Sequence, residues 1–404
     1  MMGRPRPLRV LVVTHTGEVG GAESALLRVV GAMDPTRFSV ECVTMERGPL
    51  IERFHGAGVP VHVLGGGELT RVTRGEAATS MRALARNALD SVRVARGLRR
   101  LLRRARPDLV VANSLKAAVL VALAAPTAGL PWVWHLHDRL ATDYLPTLLS
   151  ATMRQIARIG PRRVVVNSAA TARTLGRGGA RRTVLAYPGL EPAAFEAPQT
   201  GVNLDGAVGI VGRVSRTKGH REFLGAAEIV GARYLDIDFR IVGAALFEDS
   251  DEEQAIREAA AVSAVSSRLH WTGWIDDVAG ELRRLRLLVH ASPVPEPFGQ
   301  VVTEAMAAGV PVIATDAGGV PEILDPDGAA VAVADGVRRS DTGLLVRPGD
   351  VGALARAIEW ALDHPQECSA AAARAREDAR CRFGIATTRD AVAAAWAAAA
   401  RPRG

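Results

Sequence analysis

Short apolar runs rich in Val, Leu and Ile alternate with longer, mixed segments along the first half of the chain. Leu8–Thr14, Ser39–Thr44, Val59–Leu64, Leu109–Asn113, Trp132–Leu136 and Arg163–Asn167 read as strands, each short and bounded by polar or turn residues. The segments between them are mostly long enough for helices, and this alternation predicts a parallel sheet covered on both faces. Around Pro188 to Asn203 the pattern lapses into Pro-Gly-Leu-Glu-Pro and Ala-Pro-Gln-Thr-Gly, the composition of an interdomain linker. A second series follows: Ala207–Gly212, Phe239–Gly243, Leu269–Thr272, Leu285–Ala291, Val310–Ala314 and Leu344–Val346. The last part, Ala353 to Ala400, is helical and Ala-rich, with a break near Gly384. The pattern predicts two doubly wound α/β domains facing across a cleft, with ligands at the carboxyl ends of the strands.

Composition narrows the class. A chain of 404 residues exceeds one typical core, and 48% hydrophobic with 23% charged residues describes a soluble globular protein rather than a disordered one. Cys42, Cys368 and Cys381 are odd in number and far apart, so they make neither a disulfide framework nor a metal site, which fits a reducing cytoplasm. No apolar stretch precedes Leu8 as a secretory signal would require. The longest apolar run, Val119 to Trp134, is broken by Pro126, Gly129 and Pro131, which argues against a transmembrane helix.

The net charge of +7 conceals a sharper fact, that Lys116 and Lys218 are the only lysines. Arginine is so abundant that each one says little, whereas Lys218 is informative for being rare. Basic residues crowd between Arg82 and Arg106, where Leu89, Val92, Leu98, Leu101 and Leu102 form an apolar stripe. One reading is a solvated helix face covering a sheet. The other is peripheral contact of segment 93–106 with an anionic membrane or an acidic acceptor. Nucleic acid is not expected, since aromatics are 4% of residues and none interleave with the basic run.

The most informative stretch is Glu296-Pro-Phe-Gly-Gln-Val-Val-Thr-Glu304. A helix is expected from Gln300 to Gly309, with Pro311 just beyond, so Gln300 and Glu304 share one face. The N–H groups of Phe298, Gly299, Gln300 and Val301 lie at its positive end, which suits an anion or a polyhydroxyl ligand. Arg213 and Lys218 occupy one strand-to-helix loop, Val211-Gly-Arg-Val-Ser-Arg-Thr-Lys-Gly-His220, from which both can reach a phosphate. Gly20 and Gly21 follow the first strand and allow close backbone approach, with Glu23 in the next helical turn. That loop lacks dinucleotide and Walker spacing. His135 and His137 share a face at the end of a strand, followed by Asp138, and no third ligand with metal spacing stands near them.

In order along the chain, Gly20-Gly-Ala-Glu23, Gly212-Arg-Val-Ser-Arg-Thr-Lys-Gly219, Glu296-Pro-Phe-Gly299 with Glu304, Gly318-Gly-Val-Pro-Glu322 and Thr342-Gly-Leu-Leu-Val346 resemble the retaining glycosyltransferases of family 4. The resemblance spans nearly the whole chain and implies the GT-B fold: an acceptor domain over 1–190, a nucleotide-sugar donor domain over 191–380, and a helix over 381–404 crossing back to the first domain. It implies that Arg213 and Lys218 bind the donor diphosphate and that Glu304 holds the ribose hydroxyls. Glu296, with the N–H groups of Phe298 and Gly299, would read the hexose, and Gln300 and Val301 would complete the phosphate cradle. His137 resembles the family's histidine near the reacting sugar, with His135 a competitor, and Gly20 and Gly21 would approach from across the cleft. The implied reaction is hexosyl transfer with retention by front-face attack, with no cofactor and no obligatory metal. A non-catalytic sugar-nucleotide-binding protein and a nucleotide-sugar epimerase are the alternatives. Two departures stand out: Gly189-Leu-Glu-Pro192 replaces the usual turn, and Asp325–Arg339 is longer than typical and would flank the donor pocket.

Overall fold

The computed structural model describes residues 6–65, 81–176, 178, 182–196, 202–245 and 249–401, with side chains of the helix Met81–Ala105 described from Asp90 onward. Residues 197–201 of the expected linker, and the side chains of Arg82, Arg86 and Leu89, lie outside the described residues. The chain forms two compact units, Met1–Gly189 with Ile385–Gly404, and Leu190–Gly384.

In the first unit, β1 (Leu8–Val13), β2 (Phe38–Thr44), β3 (Val61–Val63), β4 (Leu109–Ala112), β5 (Trp132–Leu136), β6 (Arg163–Val166) and β7 (Thr183–Leu185) make one sheet. Its order is β3-β2-β1-β4-β5-β6-β7, and every pairing is parallel. Leu11 and Val13 enter a core on one face while Val10 and Val12 enter a core on the other. Both faces are covered, so the strand reads as a continuous apolar run rather than an alternation. β7, which the hydrophobic pattern did not predict, is three residues long and sits at the sheet edge. The strand order reverses between β1 and β4, which opens a crevice outside their carboxyl ends.

The helix Met81–Ala105 buries Ala95, Leu98 and Leu102 in the core and turns Arg93, Arg96, Arg100, Arg103 and Arg104 to solvent. Its inner face therefore covers the sheet, which both readings of the segment allow. The last helix, Ile385–Ala400, packs Val392, Ala393, Ala395, Trp396 and Ala399 into the other core of the same unit. Trp396 is fully buried; its Nε1 donates to His135 Nε2 at 3.0 Å, and its ring stacks on the imidazole and meets Phe38 edge-on.

The second unit contains β8 (Ala207–Val211), β9 (Phe239–Val242), β10 (Leu269–Gly273), β11 (Leu285–His290), β12 (Val312–Thr315), β13 (Val331–Ala334), β14 (Val337–Arg339) and β15 (Leu344–Val346). Their order is β10-β9-β8-β11-β12-β15-β14-β13, parallel throughout except at β14 and β13. The long segment after Asp325 is thus a hairpin that extends the sheet at its edge. Its four-residue strand Val331-Ala-Val-Ala334 has no polar alternation to announce it. Arg338 anchors the hairpin, donating to Asp316 at 2.7 Å and to Asp325 at 2.9 Å. Here the reversal falls between β8 and β11. Among the described residues no helix is long and apolar enough to cross a membrane.

Candidate active site

The loop after β8 is shaped by its closing residue. Gly219 has φ +81 and precedes the helix His220–Arg233; a Cβ there would collide with the Ala291 carbonyl, so glycine lets the loop lie against the end of β11. The Ser292 hydroxyl bonds the Thr217 carbonyl and ties the two segments together. This placement brings Lys218 to Glu296, with Nζ donating to Oε1 at 2.5 Å. Arg213, from the same loop, has Nη1 3.2 Å from Asp249 Oδ2.

Glu296 is buried, and its second oxygen faces His290, the last residue of β11. His290 Nε2 lies 3.4 Å from Oε2, within ion-pair reach but off the line of a hydrogen bond. Behind it, His290 Nδ1 is 3.2 Å from the hydroxyl of Thr315, the last residue of β12. Burial pushes the Glu296 carboxyl up, but Lys218 and His290 outweigh it and hold the group well below the usual carboxylate range. The main chain of Glu296 is braced from Gly318-Gly319. The Gly319 N–H donates to Glu296 O at 2.9 Å, and Gly318, at φ +67, lies so close that a Cβ would strike the Glu296 backbone.

Phe298 is buried and meets Phe383 edge-on at 5.8 Å, so its ring is part of the packing. Gly299 caps the helix Gln300–Ala308, which ends at Gly309. The amides of Gln300 and Val301 belong to its first turn, where a helix has no carbonyl of its own to offer. Gln300 and Glu304, one turn apart, are both half-buried.

In the first unit, Gly20 caps the helix Gly21–Gly31, and Glu23 folds back over it; a Cβ on Gly20 would stand 2.9 Å from Glu23 Oε2. This is the geometry of a capping glutamate. Burial pushes the Glu23 carboxyl up to about 7 against the bonds from its own amide, Thr14 and Gly20, and the charge of Asp138 adds to the rise. A proton held by the folded form and released by the unfolded chain makes stability fall as pH rises from about 4.5 to about 7. Glu23→Gln is therefore expected to flatten this slope, by up to about 3 kcal/mol. Urea melts at pH 5 and pH 8 check it, and parallel slopes for the two proteins would contradict the burial argument.

His137, just past β5, has Nε2 3.0 Å from Asn113 Oδ1, and Asn167 donates to its carbonyl at 3.1 Å. The Asn113 amide nitrogen faces Ala22 O, so Oδ1 is the face turned to the imidazole and Nε2 carries the hydrogen. Burial pushes His137 down to about 4, so it is neutral at pH 7. The two histidines that compete in the sequence thus part company. His135 is a core residue accepting from Trp396, pushed down to about 3 by burial and by His137. Among the described residues no three His, Cys, Asp or Glu side chains gather closely enough to hold a metal ion.

His290, Thr315, Asn113 and Asp249 escaped the sequence reading. The first three are polar residues at or just past the end of an apolar strand, and that position is the signal that could have found them. Lys218 and Glu296, assigned to different parts of a ligand, are paired with each other.

Two family models match: residues 20–189 fit the glycosyl transferase 4-like domain, and residues 205–364 fit the glycosyl transferases group 1. The chain is 30% identical over 309 residues to the 2-deoxystreptamine N-acetyl-D-glucosaminyltransferase of Streptomyces fradiae, covering 70% of this chain and 69% of that one. It is 26% identical over 312 residues to the 2-deoxystreptamine glucosyltransferase of Streptomyces kanamyceticus, covering 70% and 76%. Among solved structures, Anabaena HepE in complex with UDP-glucose matches with a TM-score of 0.79 at 23% identity, over 97% of this chain and 100% of that one. Two parallel-sheet Rossmann-like domains of this kind are the GT-B architecture of glycosyltransferases. The chain belongs to the group 1 glycosyl transferases, family 4.

Proposed function

We propose that the protein transfers a hexosyl group, with retention, from a nucleotide-diphosphate sugar to a hydroxyl of a small polyol, glycan or lipid acceptor. The observation that carries the donor assignment is the grouping of Lys218, Glu296 and His290 at the switch point of the second sheet. In this reading Arg213 and Lys218 neutralise the departing diphosphate, joined by the Gln300 and Val301 amides, as electrostatic catalysis with no protein nucleophile. Glu296 reads the hexose hydroxyls, Glu304 holds the ribose, and the leaving group rather than a glutamate base carries the reaction. His137, neutral and fixed by Asn113, serves the reacting sugar, and Gly20 and Gly21 let ligand approach the first crevice. The UDP-glucose bound by HepE supports the donor class. The curated relatives' action on 2-deoxystreptamine makes an aminocyclitol the first acceptor to try.

The test is incubation with UDP- and GDP-linked hexoses and an acceptor panel, with product anomers read by NMR. Acceptor-dependent nucleotide release with a retained anomer is expected, and chelator is expected to leave the rate within about twofold. Isomerised donor alone would identify an epimerase, binding without turnover a sugar-nucleotide-binding protein, and a strict metal requirement would refute the electrostatic mechanism. We assign the exposed face of Arg93, Arg96, Arg100, Arg103 and Arg104 to an anionic membrane surface. Co-sedimentation with phosphatidylglycerol vesicles should weaken with salt and on replacing these arginines by glutamine; binding indifferent to both would reject it.

A further inference from the structure

We propose that His290 is a positioning residue: backed by Thr315, it holds the Glu296 carboxylate in place when the donor's diphosphate draws Lys218 away. This rests on the donor reading above. The two ion-pair partners of Glu296 among the described residues are unequal. The Lys218 side chain is 34% exposed, on a flexible four-carbon stem with three donors, and can swing to another anion. The His290 side chain is 3% exposed, and its ring is held from behind at Nδ1.

A diphosphate offers Lys218 more negative charge than one carboxylate does. Lys218 on the phosphate leaves Glu296 Oε1 free to accept from a hexose hydroxyl, so donor arrival itself uncovers the sugar-reading oxygen. The same move strips a buried carboxylate of its nearest cation, which is strongly destabilising unless a second group remains. His290 is that group. With Nδ1 accepting from the buried Thr315 hydroxyl, the ring hydrogen sits on Nε2, 3.4 Å from Glu296 Oε2, and a small turn of the carboxylate after Lys218 leaves brings the two into a hydrogen bond. Thr315 thus selects the tautomer that serves Glu296. The chain Thr315–His290–Glu296–Lys218 joins the ends of β12 and β11 to the loop after β8, three segments that are neighbours in the sheet.

The experiment compares calorimetric affinities for UDP with UDP-glucose, and for GDP with GDP-mannose, in wild type, His290→Asn and His290→Gln. Asparagine reaches about as far as Nδ1 and keeps the Thr315 contact alone; glutamine reaches about as far as Nε2 and can still donate to Glu296. His290→Asn should bind the bare nucleotide within about twofold of wild type while its affinity for the sugar nucleotide drops about 10-fold or more. His290→Gln should restore most of that loss. Retained sugar-nucleotide affinity in His290→Asn, or equal loss of both ligands in both variants as a merely structural histidine would give, overturns the proposal. Should either variant fail to fold, Thr315→Val carries the test, with a smaller loss of about 3- to 10-fold confined to the sugar nucleotide; no such loss overturns it. Wild type that binds none of the four ligands refutes the donor reading itself, and the role of His290 falls with it.

Discussion

Lys218→Ala is expected to lower hexosyl transfer by roughly two to three orders of magnitude, the usual consequence of removing one donor from a developing anion. On the proposed mechanism the loss should appear mainly in kcat, because the charge assigned to Lys218 to neutralise grows as the diphosphate leaves. The same substitution leaves the buried Glu296 with His290 alone, at a stability cost of about 1–3 kcal/mol, since Lys218 is partly exposed. Pairing it with Glu296→Gln separates the two effects: the double variant should regain stability and remain inactive. Glu296 is held below its ordinary range, so the stability it contributes is present above that range and lost as pH falls through the lowered folded value. Without Lys218 that loss should begin at higher pH. Turnover of Lys218→Ala within about fivefold of wild type would remove the residue from the mechanism.

The second large effect is on folding. Trp396→Ala is expected to destabilise the first unit by about 3–5 kcal/mol, as expected for a fully buried tryptophan. Trp396→Phe keeps the ring contact with Phe38 but removes the donor to His135, and about 1–2 kcal/mol is expected. His135 is pushed down to about 3, so the stability that depends on its neutral form is present above its ordinary range and is lost as pH falls toward that value. Protonation would set a second donor against the Trp396 N–H. Chemical denaturation of the full chain checks all three; an unchanged midpoint for Trp396→Ala would mean that the last helix contributes nothing to the unit it packs on.

Much of the fold was legible because strands buried on both faces announce themselves as unbroken apolar runs, as Leu8–Val13 and Leu109–Ala112 do. The helix Gln300–Ala308 was legible from its punctuation, with Gly309 as a cap in the left-handed region and Pro311 just beyond. What escaped was short or edge structure: β7, with three residues, and the hairpin Val331–Arg339, whose strands lack a period long enough to detect. Arg213, Lys218, Glu296 and Glu304 were singled out by residue type and position in the chain, and of these the structure pairs Lys218 with Glu296. His290 was hidden inside the run Leu285–Ala291, where one polar residue at a strand end looks like its boundary.

The sequence by itself determined the alternation of elements and the loops where glycine must stand, because side-chain period and turn chemistry are local. Tertiary structure alone decided who meets whom. Lys218 reaches Glu296 across 78 residues of chain because β8 and β11 are neighbours at the strand-order reversal. His290 gains Thr315 because β12 lies on the other side of β11. His135 and His137, equivalent by spacing, are separated because Trp396, from the far end of the chain, occupies the face beside His135 while Asn113 stands beside His137. These pairings depend on sheet order and on the path of the last helix, which are properties of the whole chain that no local pattern encodes.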